Sequence, residues 1–459
     1  MTNQKTQDLG SDSIPKLLMK LAVPAVVAQV VNLLYNIVDR IYIGHMAGVG
    51  AAALTGVGLF APILMLINAF ATLAGAGGAP KAAISMGAKD NKTAEKIVGN
   101  CFTVLMIFAL VLTGVFYAAA PTLLRLFGAS DATLPYAVEY ARIYILGTVF
   151  VLTVMGMNPF ITTQGFAKIS MMTTLIGAVI NIVLDPIFIF AMGLGVRGAA
   201  LATILSQAVG AVWILRFLTG KTTILHLTKE GMKLEGKIIL PCLALGASTF
   251  VMLSTESLLS ISFTSSLSRY GGDLAVGAMT IMTSVYQLVM MPMTGVCQGA
   301  QPIISFNFGA GKPERVKQAF KATLSVCLTY TVLFWAAVMI APEFFAGIFT
   351  RDTALTEYTA WAMRIYLAGV FAFGMQGVCQ HSFMALGQAK ISLLLACQRK
   401  IIMLIPLIFI LPQLMANKVF AVFLAEPVSD IVSAIVAMTC MLLQIDKILA
   451  GGPRQAQAT

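Results

Sequence analysis

Arg142-Ile143-Tyr144 returns as Arg364-Ile365-Tyr366, Ala167-Lys168-Ile169-Ser170 returns as Ala389-Lys390-Ile391-Ser392, and Pro80 with Gly87-Ala88 returns as Pro302 with Gly309-Ala310, each at an offset of 222 residues. Matches that keep one offset over so long a stretch mark two halves of common design. The repeated units are apolar spans long enough to cross a bilayer. Two membrane-embedded repeats are the usual architecture of a secondary transporter.

Composition supports the membrane half of that reading independently. Hydrophobic residues make up 58% of the chain, charged residues 11%, and the mean hydropathy is +0.88. A soluble domain carries about 25% charged residues. Counting apolar stretches of about 20 residues gives twelve, beginning near Pro15, Ala51, Ala94, Pro135, Ser170, Gly198, Ile238, Ala275, Lys317, Tyr358, Ser392 and Phe420. They leave short loops and no soluble domain. The expected fold is therefore an all-α polytopic membrane protein of twelve helices in two six-helix lobes. Its expected divisions are 1–215 for the first lobe, 216–237 for a cytoplasmic linker and 238–459 for the second lobe.

The net charge of +11 raises the question of a nucleic-acid or acidic partner, and placement decides it. Lys5, Lys16 and Lys20 precede or open the first span. Lys81, Lys89, Lys92 and Lys96 cluster between the second and third, and Arg216, Lys221, Lys229, Lys233 and Lys237 between the sixth and seventh. Lys312, Arg315, Lys317 and Lys321 follow the eighth, whereas alternate loops carry about one basic residue each, such as Arg125, Arg197, Arg269, Arg351 and Lys418. The positive-inside rule accounts for that alternation, puts both termini in the cytoplasm and removes the nucleic-acid reading. An even number of spans per half makes the repeat a parallel one.

The first span is of full length and Asp39-Arg40 stands where a small-residue cleavage site would fall, so it reads as a retained helix and not a signal peptide. The seven cysteines lie singly with no C-x-x-C spacing and read as small buried hydrophobes. His45, His226 and His381 are far apart, which leaves metal-dependent intramembrane chemistry without ligands. Gly220-Lys221-Thr222 resembles the end of a phosphate-binding loop, but Leu215 replaces the glycine five residues earlier. Uphill transport would then draw on an ion gradient, worth about 2.3 kcal/mol per elementary charge per 100 mV.

Such coupling needs ionisable groups inside the membrane, each costing on the order of 2.5 to 3.5 kcal/mol at a helix centre. Within the spans the acidic candidates are Asp39 near the outer end of helix 1, Asp185 in helix 5 and, in the second half, Glu256 alone in helix 7. Asn181 and Asp185 are four apart, on one helical face. Pro186 removes the amide that would have bonded the Ile182 carbonyl. A carboxylate, an amide oxygen and a freed carbonyl suit Na⁺ or a shared proton. Glu256 has Leu34 at the repeat offset, so the halves share a fold and not a site. Arg399-Lys400 in helix 11 reads as a snorkelling pair near the cytoplasmic face or as a counter-charge for Glu256. The 26 methionines, including Met155, Met290 and Met291 near the expected cavity, suit ligands of varied shape. Gln29, Asn32, Tyr286 and Gln287 are polar groups that could orient a ligand.

Pro24, Tyr35 and Asp39-Arg40-Ile41-Tyr42-Ile43-Gly44-His45, with Asn181 and Asp185-Pro186 and the loops Met-Gly-Ala-Lys-Asp and Asn-Phe-Gly-Ala-Gly, resemble the multidrug and toxic compound extrusion (MATE) family. The resemblance is to its Mep-type branch and covers nearly the whole chain. It implies an outward-facing V of two lobes that exports bulky, often cationic drugs in exchange for H⁺ or Na⁺. It further implies a protein without a cofactor that works as a monomer in the cell membrane. Residue by residue it implies a cation site at Asp39, Asn181, Asp185 and Thr203, with Asn158 and Tyr35 nearby, and a hinge in helix 1 at Pro24. The acidic pair of another branch is met only by Glu256, since helix 10 has no acid between Tyr358 and Met384. The rival reading is a flippase for a lipid-linked oligosaccharide, which would line its cavity with several arginines; only Arg399 lies well inside a span. An intramembrane transferase lacks its paired acidic motifs or reactive His or Cys, and a channel would conduct without an exchange ion.

Overall fold

The computed structural model describes residues 8–46 and 48–458; Lys5 lies outside them. Every regular element among these residues is helical, as lipid requires of a chain whose backbone groups find no water to bond. Among the described residues nine helices are long and apolar enough to span a bilayer, and two bent pairs add two more spans. One of the nine, Gly236–Gly309, has 74 residues, which at about 1.5 Å per residue is far longer than a bilayer is thick. It breaks at Gly272, whose φ of 64° and ψ of −162° suit a residue without Cβ. Counting its two parts separately gives twelve spans.

These are α1 (Ile14–Gly44), α2 (Ala52–Gly87), α3 (Asn91–Leu126), α4 (Leu134–Leu146 and Thr148–Thr163, bent by 57°), α5 (Ala167–Ala191) and α6 (Val196–Leu218). The second six are α7 (236–271) and α8 (273–309), α9 (Pro313–Ile340), α10 (Thr353–Tyr366 and Val370–Ala385, bent by 49°), α11 (Ala389–Leu414) and α12 (Lys418–Gly452). α5 turns π-helical over Ile187–Ala191, directly after Pro186. α11 does the same over Gln398–Leu404.

The repeat read from three short matches extends to the helix ends. α2 and α8 end at Gly87 and Gly309, α3 and α9 begin at Asn91 and Pro313, and α5 and α11 begin at Ala167 and Ala389. Each pair keeps the offset of 222. One side-chain bond repeats as well: Asn158 Nδ2 donates to the Ser170 carbonyl at 3.3 Å, and Gln380 Nε2 donates to the Ser392 carbonyl at 2.8 Å. In both halves an amide on the bent fourth span holds the start of the fifth.

By proximity the chain forms two compact units, one built on residues 27–250 and the other on 10–26 with 251–459. In the first, Phe60 lies edge-on to Tyr140 and Tyr144 at 5.7 and 5.1 Å. α2 meets the start of α7 so closely that a Cβ at Gly77 or Gly246 would strike the backbone of Cys242 or Leu73. The segment between α6 and α7 is tied to this unit by two buried amides. Gln164 Oε1 accepts from Thr223 Oγ1, Ile224 N and Leu225 N at 2.8, 2.7 and 3.0 Å. Asn100 donates to the Gly231 and Lys233 carbonyls and accepts from Glu235 N.

The second unit has its own core around Phe263, Met282, Tyr366 and Phe423. Its residues 10–26 are held on α8 and the α8–α9 turn. Gly295 and Gly299 leave room for the backbone of Val26 and Ala22, and Lys312 Nζ and Arg315 Nη2 donate to the Gly10 and Asp12 carbonyls, both at 2.7 Å. α1 therefore begins in one unit and ends in the other.

Candidate functional site

In the first unit the polar groups converge where α1, α5 and α6 meet. Asn181, Asp185 and Thr203 are buried, at 1%, 0% and 7% exposure. One turn of α5 aligns Asn181 with Asp185, as the four-residue spacing requires. Asn181 Nδ2 donates to Asp185 Oδ1 at 3.2 Å and to Thr203 Oγ1 at 3.4 Å, and the Thr203 hydroxyl donates in turn to the Ala199 carbonyl at 3.0 Å. α6 comes this close to α5 because Gly198, five residues before Thr203, lies against the backbone of Phe188 and Ile189.

Asp39 enters from α1. Its carboxyl and that of Asp185 interact side chain to side chain, two acceptors that need a positive charge between them to be stable neighbours. Asp39 Oδ1, Asp185 Oδ2 and Asn181 Oδ1 are buried oxygens without a hydrogen-bond donor. Because the amide nitrogen of Asn181 is committed to two partners, its oxygen is left for something else. These oxygens and Thr203 Oγ1 are hard donors of the kind that suits a monovalent cation or a shared proton. Among the described residues no three His, Cys, Asp or Glu side chains group to hold a metal ion.

Tyr35, one turn before Asp39, is near enough to interact with its charge. Tyr140 and Tyr144, stacked at 6.0 Å, wall the same space, Tyr140 reaching Thr203. Sequence reasoning passed over these two; Tyr144 stood inside the repeated Arg-Ile-Tyr and was read only as a marker of the repeat. Asn158 is held by its bond to Ser170, with Oδ1 buried and unpartnered. Gln29, Asn32 and Met155 belong to this unit, whereas Glu256, Tyr286, Gln287, Met290 and Met291 belong to the other. Pro24 is also in the other unit, inside an α1 that is helical throughout.

The second unit overturns one expectation. Glu256 is not its lone acid within a span, because Glu426 and Asp430 of α12 are buried at 3% and 0% exposure. Arg399 and Lys400, 5% and 3% exposed, do not snorkel; they are ion-paired in the interior. Arg399 Nη2 donates to Glu426 Oε1 at 2.9 Å, Asp430 Oδ1 at 2.7 Å and the Tyr286 hydroxyl at 2.9 Å, and its Nε also donates to Asp430 Oδ1 at 3.0 Å. The guanidinium carbon lies 4.5 Å from the Phe373 ring centre. Lys400 Nζ donates to Glu256 Oε1 and to the Met252 carbonyl, so of the two readings for this pair the counter-charge to Glu256 holds for Lys400. Glu426 and Asp430 were legible by the rule that found Asn181 and Asp185. Ala425-Glu426-Pro427-Val428-Ser429-Asp430 also sets two polar groups four apart beside a proline in an apolar run.

Two like halves of six membrane helices, each burying ionisable groups where its fifth and sixth helices meet, define a polytopic membrane transporter. The chain belongs to the MatE family, whose description it matches twice, over residues 24–187 and 248–410, once in each half. It is similar to the multidrug export protein MepA of Staphylococcus saprophyticus, 22% identical over 450 residues and covering 98% of both chains. Its fold is similar to a solved MATE structure in the bent conformation, at 24% identity, TM-score 0.91 and full coverage of both chains. It is also similar in fold to a MOP superfamily transporter from Pyrococcus furiosus, at 24% identity and TM-score 0.89, covering 98% of this chain and 99% of the other.

Proposed function

We propose that the protein is a secondary active antiporter of the cell membrane that exports bulky, often cationic organic compounds in exchange for H⁺ or Na⁺, with both termini cytoplasmic. Family membership and the likeness to MepA proteins support the export of drugs. The single observation that carries the coupling is the Asp39–Asp185 carboxyl pair, with Asp185 fully buried and Asn181 and Thr203 beside it.

Two facing carboxylates repel, and desolvation strengthens the repulsion. A proton or Na⁺ arriving between them relieves it and draws α1 toward α5. Only a group whose charge changes can link ion occupancy to a change of conformation, since a ligand shifts an equilibrium by its differential affinity for the two states. The relaxation passes along α1 to Pro24, where the backbone bond to the residue 20 carbonyl is missing and bending is least costly. Bending there changes the space offered to substrate. Gln29, Asn32, Met155, Glu256, Tyr286, Gln287, Met290 and Met291 are the proposed substrate contacts.

Ethidium efflux from cells stripped of their own pumps tests this reading. Wild-type protein is expected to lower ethidium accumulation, and Asp39→Asn and Asp185→Asn at matched membrane abundance are expected to abolish that export. Imposed pH or Na⁺ gradients then name the ion. If both amide variants export as well as wild type, the cation site is wrong; if wild type exports nothing, so is the drug-export reading.

A further inference from the structure

The five ionisable side chains clustered in the second unit do not balance. Glu256, Glu426 and Asp430 bring three carboxylates against the two cations Arg399 and Lys400. Fully ionised, the cluster holds one uncompensated negative charge in the interior, a costly state unless another positive charge joins it. Four of the five members are buried, and only Glu256, with a side chain 49% exposed, is half open.

The open seat is on α12. Glu426 and Asp430 are one turn apart on the same face. Asp430 Oδ1 takes two bonds from the guanidinium, while Asp430 Oδ2 is buried and has no hydrogen-bond partner. Ser433, three residues on, also has a buried unpartnered oxygen. A metal ion on the pair would lie against the Arg399 charge and would need further oxygens around it. A proton bonds covalently to a single oxygen and needs no coordination shell. The groups facing the pair are Arg399 and Lys400 of α11, Glu256 of α7, Tyr286 of α8 and Tyr366 of α10. The two tyrosines can bond the carboxyls but bring no positive charge.

We propose that Glu426 and Asp430 form a second proton-binding site that holds one proton between them, separate from the Asp39–Asp185 pair. With the proton bound, each remaining carboxylate has one cation. With it released, the excess negative charge lies beside Glu256, the one half-open member of the cluster. At the repeat offset α12 corresponds to α6, and Ala425, the counterpart of Thr203, precedes Glu426.

Infrared titration of the purified protein, without substrate or gradient, tests the proposal in an Asp39→Asn/Asp185→Asn background. A protonated-carboxyl C=O band should grow as the pH falls, and it should vanish in Asp430→Asn and shrink or move by about one pH unit or more in Glu426→Gln. Should the amide variants fail to fold, the charge-conserving Asp430→Glu and Glu426→Asp are expected to move the midpoint of that band. A band indifferent to all four substitutions overturns the site, and a band lost on adding Na⁺ at fixed pH overturns the choice of a proton. Because no transport is measured, the result stands apart from the efflux test.

Discussion

Asn158 illustrates how one residue can carry two readings. By resemblance it borders a cation site, yet its bond to Ser170 recurs in the other half as Gln380 to Ser392, so the bond belongs to the repeated fold. The repeat favours a clamp between the fourth and fifth spans. Asn158→Ala and Gln380→Ala should each lower thermal stability by about 1 kcal/mol, read by a thermal-shift assay, and leave the ion dependence of efflux as in wild type. Loss of ion dependence in Asn158→Ala alone would make it a ligand. At this scale the first site was largely legible, because Asp39, Asn181 and Asp185 are polar groups in apolar runs at helical spacing. Thr203 came from the resemblance, and the tyrosines were hidden because an aromatic in a membrane helix is unremarkable by composition. The second cluster stayed hidden because a buried Arg-Lys pair looks in sequence like a surface one, and the carboxylates of Glu426 and Asp430 stand 26 or more residues further on, in another helix.

The starts of the spans were legible to within five residues from hydropathy, since a membrane leaves few other ways to satisfy a backbone. What hydropathy cannot reveal is the interior of an element: the bends of 57° and 49° in α4 and α10 and the π-helical stretches of α5 and α11 change direction or pitch without changing polarity. Caps act at the same scale. Asp90, just before α3, accepts a bond from Thr93 N at 3.0 Å, and the Thr93 hydroxyl and amide hold its carboxyl below the usual carboxylate range. A carboxyl that is more acidic when folded contributes stability above its unfolded pKa and loses it as the pH falls through the folded value. Asp90→Ala should therefore cost about 1 kcal/mol at neutral pH and nothing once acid has protonated the wild-type cap, a difference that melting curves across the acid range would register.

Over the whole molecule, the segment between α6 and α7 is no loose tether. Gln164 satisfies three of its donors through one oxygen, and replacement by a side chain of similar size without that oxygen leaves buried N–H groups unpaired. Gln164→Leu should release the segment and speed tryptic cleavage after Lys221 several-fold in inverted vesicles, with no cleavage in right-side-out ones; cleavage from the outer face would reverse the proposed orientation. The parallel repeat was legible because a duplicated fold keeps its offset even where its chemistry diverges, as helix ends at Gly87 and Gly309 do while Leu34 and Glu256 do not. Residues 10–26 belong with the second unit although they are joined to the first. A gene cut in the middle, as is done to reassemble duplicated proteins from two separately made pieces, would strip that unit of the helix seated on Gly295 and Gly299. The second half would then fold only beside a partner that supplies its missing beginning.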